Sequence, residues 1–157
     1  RAFLSWQRLE LMQVGPLGRA TQVTAGQGLR DEIYSWPSSN LCRVDAALVA
    51  RTTPDEAFFD AALVTSKTLV VLEYLLWEQG PSNACPANAT INTDGSWAAL
   101  ASGPELSNRR RAWANGVARH LARTAQRAQG AWLDAGGFGE RLQAAGRMGS
   151  EWRTPKD

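Results

Sequence analysis

Apolar residues are most concentrated between Leu69 and Trp77, where every position except Glu73 is apolar or aromatic. A helix that is hydrophobic on all sides is normally buried, and this run is less than half of the roughly 20 residues that a membrane span requires. The pattern therefore predicts a core helix that carries Glu73 into the interior. A buried carboxylate must be paired, hydrogen-bonded, metal-bound or protonated. A structural ion pair with an arginine and a functional site are both open interpretations.

The flanking residues predict that this core segment belongs to a longer helix. Thr53, Pro54 and Glu56 provide an N-cap, a proline at the first helical position and a glutamate three residues after the cap. The glycine and proline that follow Gln79 suit a helix end. One helix is therefore expected from Thr53 to Gln79, with Glu73 facing a neighbouring helix.

Helical periodicity recurs in four other segments, and no segment alternates as a strand would. Asn40 and the serines before it offer an N-cap for the segment 41–51. The long connection 81–103 predicts only one helical turn, near Trp97. The expected fold is all-α, a single four-helix-bundle-like lobe over residues 1–157 with long irregular connections. The four segments are residues 2–13, 41–51, 104–133 and 139–145.

The longest of these segments has one apolar stripe and one basic face. A basic helix face is more often solvated than a dedicated anion site. The stripe consists of Trp113, Val117, Leu121, Thr124, Ala128 and Trp132. The basic face consists of Arg109, Arg110, Arg111, Arg119, Arg123 and Arg127.

Length and charge limit the classes of function. A chain of 157 residues can bury about two-thirds of its unfolded surface as one domain. The net charge of +2 is weak, and no basic run is interleaved with aromatic residues. Nucleic-acid binding is therefore not expected.

The two cysteines favour an oxidising compartment. Cys42 and Cys85 lie in or beside segments rich in proline, serine and asparagine, and such a pair suits a disulfide better than two buried thiols, which is the alternative. His120 is the only histidine, so a cluster of Cys and His ligands cannot form. Because His120 falls in mid-helix beside the apolar stripe, it is interpreted as a structural histidine rather than a catalytic base. Phosphate loops, G-x-S-x-G and H-E-x-x-H are absent from the sequence.

Four segments, taken in order, resemble the imelysin-like family. They are an aromatic-rich helix with Glu10 ahead of Gly-Pro, Ile33 shortly before Trp-Pro, the apolar helix ending in Glu73 to Trp77, and the arginine-led helix from Arg109 to Trp132. The family comprises bacterial envelope proteins that are classed as metallopeptidase-like and are linked to iron uptake.

The resemblance implies the first of the family's two helical lobes, without the start of its first helix and without the second lobe. It implies a periplasmic or outer-envelope protein, attached to a membrane only by a possible lipid anchor outside this chain. The implied partners are envelope iron-uptake components or the second lobe.

The family's G-x-H-x-x-E motif is degenerate in this chain. Its glutamate corresponds to Glu73, but Val70 stands at the histidine position and Thr68 at the glycine position. The resemblance therefore implies no catalytic residue. A divalent metal, or iron or haem, could be held by Glu73 and Glu10, without the imidazole that most such sites use. Candidate ion-pair or anion-binding residues are Arg8, Arg119 and Arg123.

The main hypothesis is a non-catalytic component that binds metal, haem or a partner in bacterial iron uptake. One alternative is a metallopeptidase-like enzyme whose other site residues lie in a second lobe. The other alternative is a structural helical interaction module in which Glu73 forms a buried ion pair.

Overall fold

A computed structural model describes residues 33–34, 39–50, 54–135 and 137–148, and all structural statements concern these residues. Within them the regular structure is helical and no strand occurs, which confirms the all-α prediction and is consistent with a helical bundle lobe. The predicted helix over residues 2–13, with Arg8 and Glu10, lies outside the described residues. The helices are α1 (Leu41–Ala50), α2 (Glu56–Ala61), α3 (Leu69–Trp77), α4 (Thr90–Thr93), α5 (Ser96–Ala101), α6 (Glu105–Leu133) and α7 (Phe138–Ala144), with a 3-10 turn at Val64–Ser66.

The chain divides into two compact units, and the first covers residues 31–121. In this unit α1 contacts the 3-10 turn, α3 and α5. The described part of the second unit begins at Ala122 and contains the end of α6 and all of α7. There, Arg127 Nη2 donates a hydrogen bond to Thr124 Oγ1 at 3.1 Å.

An aromatic cluster forms the centre of the first unit. Trp113 is 1% exposed, and its ring lies edge-on to Phe58 and Phe59, with centroids 5.1 and 5.5 Å away. Edge-to-face pairs of this kind add to the stabilisation from apolar burial. Apolar side chains from α1, α3 and α6 complete the core, namely Val44, Leu48, Val71, Leu75 and Val117.

Gly116 is the residue of α6 that admits Phe59 to this cluster. A Cβ atom at position 116 would lie 2.0 Å from Phe59 Cε2 and 2.6 Å from Cζ. Because the Phe59 ring is buried and cannot move aside freely, we expect Gly116→Ala to lower the free energy of unfolding by about 2–3 kcal/mol. Urea unfolding measures this loss.

Gly130→Ala, in the same helix, is the matched control for that substitution. Its Cβ would meet only the side chain of the exposed residue Asp134, at 3.0 Å, so we expect a change within about 1 kcal/mol, helped by the helix propensity of alanine. Combining Gly116→Ala with Phe59→Leu is expected to cost less than the sum of the two single changes. Full additivity would contradict a clash between these two residues.

The prediction of one helix from Thr53 to Gln79 is wrong. α2 starts after Asp55, whose Oδ1 accepts a hydrogen bond from Phe58 N at 2.8 Å, and it ends at Ala61 because Ala62 is extended. The buried Lys67 explains the break: its Nζ donates to the carbonyls of Phe59 (2.7 Å) and Asp60 (3.3 Å) at the end of α2. A cation at the carboxyl end of a helix is favourable.

The predictions for α1, α6 and α7 are confirmed to within one or two residues at each end. Asn40 caps α1, since its Oδ1 accepts a hydrogen bond from Arg43 N at 2.9 Å. The predicted stripe of α6 is buried from Trp113 to Ala128, and Trp132 is half-buried.

The connection 81–103 is more ordered than its sequence predicts. It contains α4 as well as the expected turn, which is α5. Trp97 Nε1 donates to Pro81 O at 2.7 Å, and Asn83 Nδ2 donates to Asn92 Oδ1 at 2.8 Å. These bonds fold the connection back on itself. Among the described helices, none combines the length and the apolar character that a bilayer span requires.

Candidate functional site

The buried acid of the first unit is Asp45, on α1. Its side chain is fully buried, and its Oδ2 accepts hydrogen bonds from Tyr74 OH and Ala84 N, both at 2.8 Å. Asp45 Oδ1 has no hydrogen-bond partner among the described residues. Asp45 therefore joins α1, α3 and the connection that follows α3.

Burial dominates the protonation equilibrium of this carboxyl group. Desolvation raises the pKa of Asp45 above its ordinary value of 3.8, although the hydrogen bonds from Ala84 and Tyr74 and the charge of Arg110 act in the opposite direction. Burial and the Asp45 carboxylate also raise the pKa of Tyr74. The Tyr74 hydroxyl therefore stays a proton donor to Asp45 at neutral pH.

The raised pKa of Asp45 predicts a specific pH dependence of stability. A group with a raised folded-state pKa contributes stability that is present below its unfolded pKa and is lost as pH rises through the folded pKa. We therefore expect wild-type stability, relative to Asp45→Asn, to fall as pH rises from about 4 towards 7. Urea unfolding of both proteins across this range measures the difference.

Asp94→Asn provides a control of opposite sign. Hydrogen bonds from Ser96 lower the pKa of the exposed Asp94 carboxyl. The contribution of Asp94 to folding stability is therefore present at higher pH and is lost as pH falls. Parallel pH profiles for wild type and Asp45→Asn would contradict the interpretation of Asp45.

Arg110, on α6, binds the chain where α3 ends. It is 5% exposed, and its Nη1 donates to the carbonyls of Glu78 (2.7 Å) and Gly80 (2.8 Å) while Nη2 donates to Ser82 O (2.9 Å). Its guanidinium also lies 5.8 Å from the centroid of the Trp97 ring, within the range of a cation–π contact. Three otherwise unpaired carbonyl groups are thus satisfied by one side chain.

Arg109 has the equivalent role at the end of α1. Its Nη1 donates to Leu48 O (2.8 Å) and Val49 O (3.0 Å), and its Nε pairs with Glu105 at 2.9 Å. The prediction of one solvated basic face is therefore wrong for Arg109 and Arg110, because the start of α6 lies against two helix ends whose carbonyls need donors.

The predicted Cys42–Cys85 disulfide is present, with an S–S distance of 2.01 Å. It links α1 to the connection after α3, one residue from the Ala84 amide that Asp45 binds. The disulfide, Asp45 and Arg110 therefore fix the same stretch of chain at three points.

The prediction that Glu73 is buried is wrong. Glu73 is exposed on α3, and within the described residues it makes no hydrogen bond or ion pair. The single helix expected to carry Glu73 is interrupted before that residue, because the chain is extended at Ala62 and again at Thr68. Only one side of α3, with Val71 and Leu75, is buried in the core.

Glu73 lies at the centre of an apolar surface, which we call the α3 face. Leu69, Leu76 and Trp77 share this side of the helix with Glu73 and are 36%, 49% and 76% exposed. Leu69, Leu76 and Trp77 are four, three and four residues from Glu73 in the sequence, which places them on one helical face around the carboxylate. The apolar side chains that led to the prediction of a buried helix are thus partly exposed at the surface.

The other predicted site residues differ in their burial. Arg119 is exposed and Arg123 is half-buried on α6. His120 is buried, with Nδ1 3.6 Å from Asp60 Oδ1, which agrees with a structural role. Arg8 and Glu10 lie outside the described residues, so their proposed roles stay predictions.

Asp45 and Arg110 are the residues that the sequence predictions missed. Asp45 falls four residues after Leu41 and three before Leu48, on the same helical face as these two apolar residues. Arg110 lies three residues before Trp113, on the inward stripe of α6. Counting polar residues within the apolar stripe of α1 would have placed Asp45 in the interior, and extending the stripe of α6 by one turn would have placed Arg110 there.

Comparison with known protein families identifies the chain. The imelysin family model matches residues 1–156, which is essentially the whole sequence. The chain belongs to the imelysin family. No curated protein and no solved structure matches it significantly. Family membership supports an imelysin-like, iron-regulated envelope protein, and the disulfide fits an oxidising compartment.

The described residues of this imelysin do not fit a held metal ion. Val70 offers no ligand at the motif histidine position, and Glu73 is exposed among apolar neighbours. In the part of the chain that the structure describes, no group of three or more His, Cys, Asp or Glu side chains could hold a metal. A stable catalytic metal needs about three protein ligands and an open position.

Proposed function

We propose that this imelysin is a non-catalytic component of bacterial iron uptake in the periplasm or outer envelope, and that its α3 face binds another protein of that system. The observation that carries the proposal is the exposure of Leu76 and Trp77 on either side of the charged Glu73. A peptidase mechanism receives no support from the described residues, because Val70 replaces the histidine that would hold the metal.

The composition of the α3 face suits a protein partner. Contiguous exposed apolar side chains are uncommon on proteins that act alone, and tryptophan is enriched among residues that dominate binding energy. Glu73 adds a single negative charge at the centre, so the complementary surface is apolar and carries one lysine or arginine opposite Glu73. Such a charge pair gives orientation and selectivity more than affinity.

Iron-restricted growth of the source bacterium tests this proposal. Strains lacking the gene are complemented with the full-length wild type, with Trp77→Glu, or with Leu133→Glu, and uptake of radioactive iron is measured. Leu133 is the matched control, because it is 71% exposed, close to the 76% of Trp77, and does not belong to the α3 face. We expect Trp77→Glu to reduce uptake at unchanged protein level and Leu133→Glu to leave uptake intact.

Equal uptake with wild type and Trp77→Glu would overturn the proposal. If Trp77→Glu does reduce uptake, a photo-crosslinking amino acid at position 77 identifies the molecule that binds the α3 face. Crosslinks to a receptor or binding protein of iron uptake support the proposal, whereas crosslinks only to a second copy or to another part of the same polypeptide contradict it.

Direct binding of a divalent metal, iron or haem through Glu73 and Glu10 is the second proposal, motivated by the position of Glu73 in the family motif. Calorimetry on the purified full-length protein, compared with Glu73→Gln, tests it. Micromolar binding that is lost in Glu73→Gln supports a ligand role. Absence of binding, or binding unchanged by the substitution, overturns that role without affecting the proposed protein partner.

A further inference from the structure

A groove of about 320 Å³ lies within the first unit, between α1, the end of α2 and α6. This volume is at the lower end of the range for small-molecule sites. The groove shares no residue with the α3 face. Its apolar lining consists of Ala47, Phe58, Ala61, Ala62, Leu63 and Trp113.

Small side chains create the space in this groove. Ala47 on α1 and Ala61 and Ala62 at the end of α2 leave open the volume that larger residues would fill. Phe58 and Trp113, packed edge to face at 5.1 Å, provide aromatic walls. Because these rings are held by the buried cluster around Phe59, the groove is formed before any ligand arrives.

One charged group gives the groove its chemical preference. Arg43 lines it and is exposed, and its guanidinium has no hydrogen-bond or ion-pair partner among the described residues. The one other polar lining residue, Ser66, already donates its hydroxyl to Leu63 O at 2.8 Å. The groove thus combines an apolar body with the unpaired guanidinium of Arg43.

We propose that this groove binds a small monocarboxylate with an apolar body. The apolar part would lie against the alanines and the aromatic rings, and the carboxylate would pair with Arg43. An arginine is suited to this task because its planar fork donates two parallel hydrogen bonds to a carboxylate. The described lining residues include no acidic side chain that would oppose a bound anion.

Isothermal titration calorimetry on the full chain tests the proposal with two acids, octanoate and 3-phenylpropionate, which separate an alkyl from an aromatic body. Their neutral counterparts, octanol and 3-phenylpropanol, test the carboxylate. We expect at least one acid to bind with a Kd below about 1 mM. The corresponding alcohol is expected to bind at least tenfold more weakly, as loss of a charge-assisted hydrogen bond implies.

Three variants locate the binding. Arg43→Gln is expected to weaken binding of the acid about tenfold without affecting the alcohol. Ala47→Leu is expected to abolish binding of both by filling the groove. Arg111→Gln, an exposed arginine on α6 that does not line this groove, is expected to bind as wild type does.

No saturable binding of either acid to the wild type would overturn the proposal. Binding that is unchanged in Arg43→Gln would overturn it as well, and this variant tests the proposal even if Ala47→Leu does not fold, because Arg43 is exposed. Trp77→Glu is expected to bind the acid normally, so failure of this site and failure of the α3 face are distinguishable.

Discussion

Replacing Arg110 by alanine is expected to lower the free energy of unfolding by about 3–5 kcal/mol. The Arg110 side chain is only 5% exposed. Its removal leaves the carbonyl groups of Glu78, Gly80 and Ser82 without their hydrogen-bond donor. These hydrogen bonds are part-buried, and an acceptor that loses its donor in such a place costs more than the net value of the bond that satisfied it. The removed side chain also leaves the negative charge of Asp45 without its main favourable electrostatic neighbour.

Arg111→Ala is the matched control, since the neighbouring arginine is exposed. We expect it to change stability by less than about 0.5 kcal/mol. Arg110→Lys is expected to recover only part of the loss, because one ammonium group cannot reach three carbonyls as a guanidinium fork does. Similar unfolding midpoints for Arg110→Ala and Arg111→Ala would show that the three hydrogen bonds are not stabilising.

Removing the Cys42–Cys85 disulfide has the second largest expected effect. The bond closes a loop with a sequence separation of 43 residues, for which chain entropy predicts about 4 kcal/mol. We expect the double Cys→Ser variant to lose about 3–4 kcal/mol in free energy of unfolding. Urea unfolding of the variant and of the oxidised wild type measures the loss.

The same experiment includes a test of mechanism. Adding a reductant is expected to move the unfolding midpoint of the wild type to that of the variant and to leave the variant unchanged. The reduced protein is also expected to show faster amide hydrogen exchange around Ala84, whose N–H is bound to Asp45. A wild-type midpoint that does not respond to reductant would contradict a stabilising role for the bond.

Both predictions concern the proposed partner surface as well as stability. Arg110 binds the residues that directly follow Trp77, and the disulfide and Asp45 fix the next few residues of the chain. A binding surface costs less to use when its side chains are already positioned. We therefore expect variants that loosen this anchor to weaken partner binding even though they leave the α3 face unchanged in sequence.

Local sequence patterns determined much of the helical architecture. The Asn40 cap and the apolar stripe of α6 were enough to place α1 and α6 to within one or two residues. These features succeed because helix caps and helical periodicity depend on residues within one or two turns. The disulfide was also predictable, because the chain has only two cysteines, both in loop-like contexts.

Tertiary structure decided where the charges lie. The residues near Glu73 in the sequence do not show whether one side of the helix is exposed to solvent, since that depends on which elements pack against it. In α3 only Val71 and Leu75 are buried in the core. The helix from Thr53 was likewise interrupted by a distant interaction, as Lys67 binds the carbonyls at the end of α2. Among the described residues the buried acid is Asp45 instead of Glu73, and at Asp45 a tyrosine hydroxyl, a backbone amide and the charge of Arg110 converge. A sequence determines which side chains carry charge, but burial is a property of the packed chain.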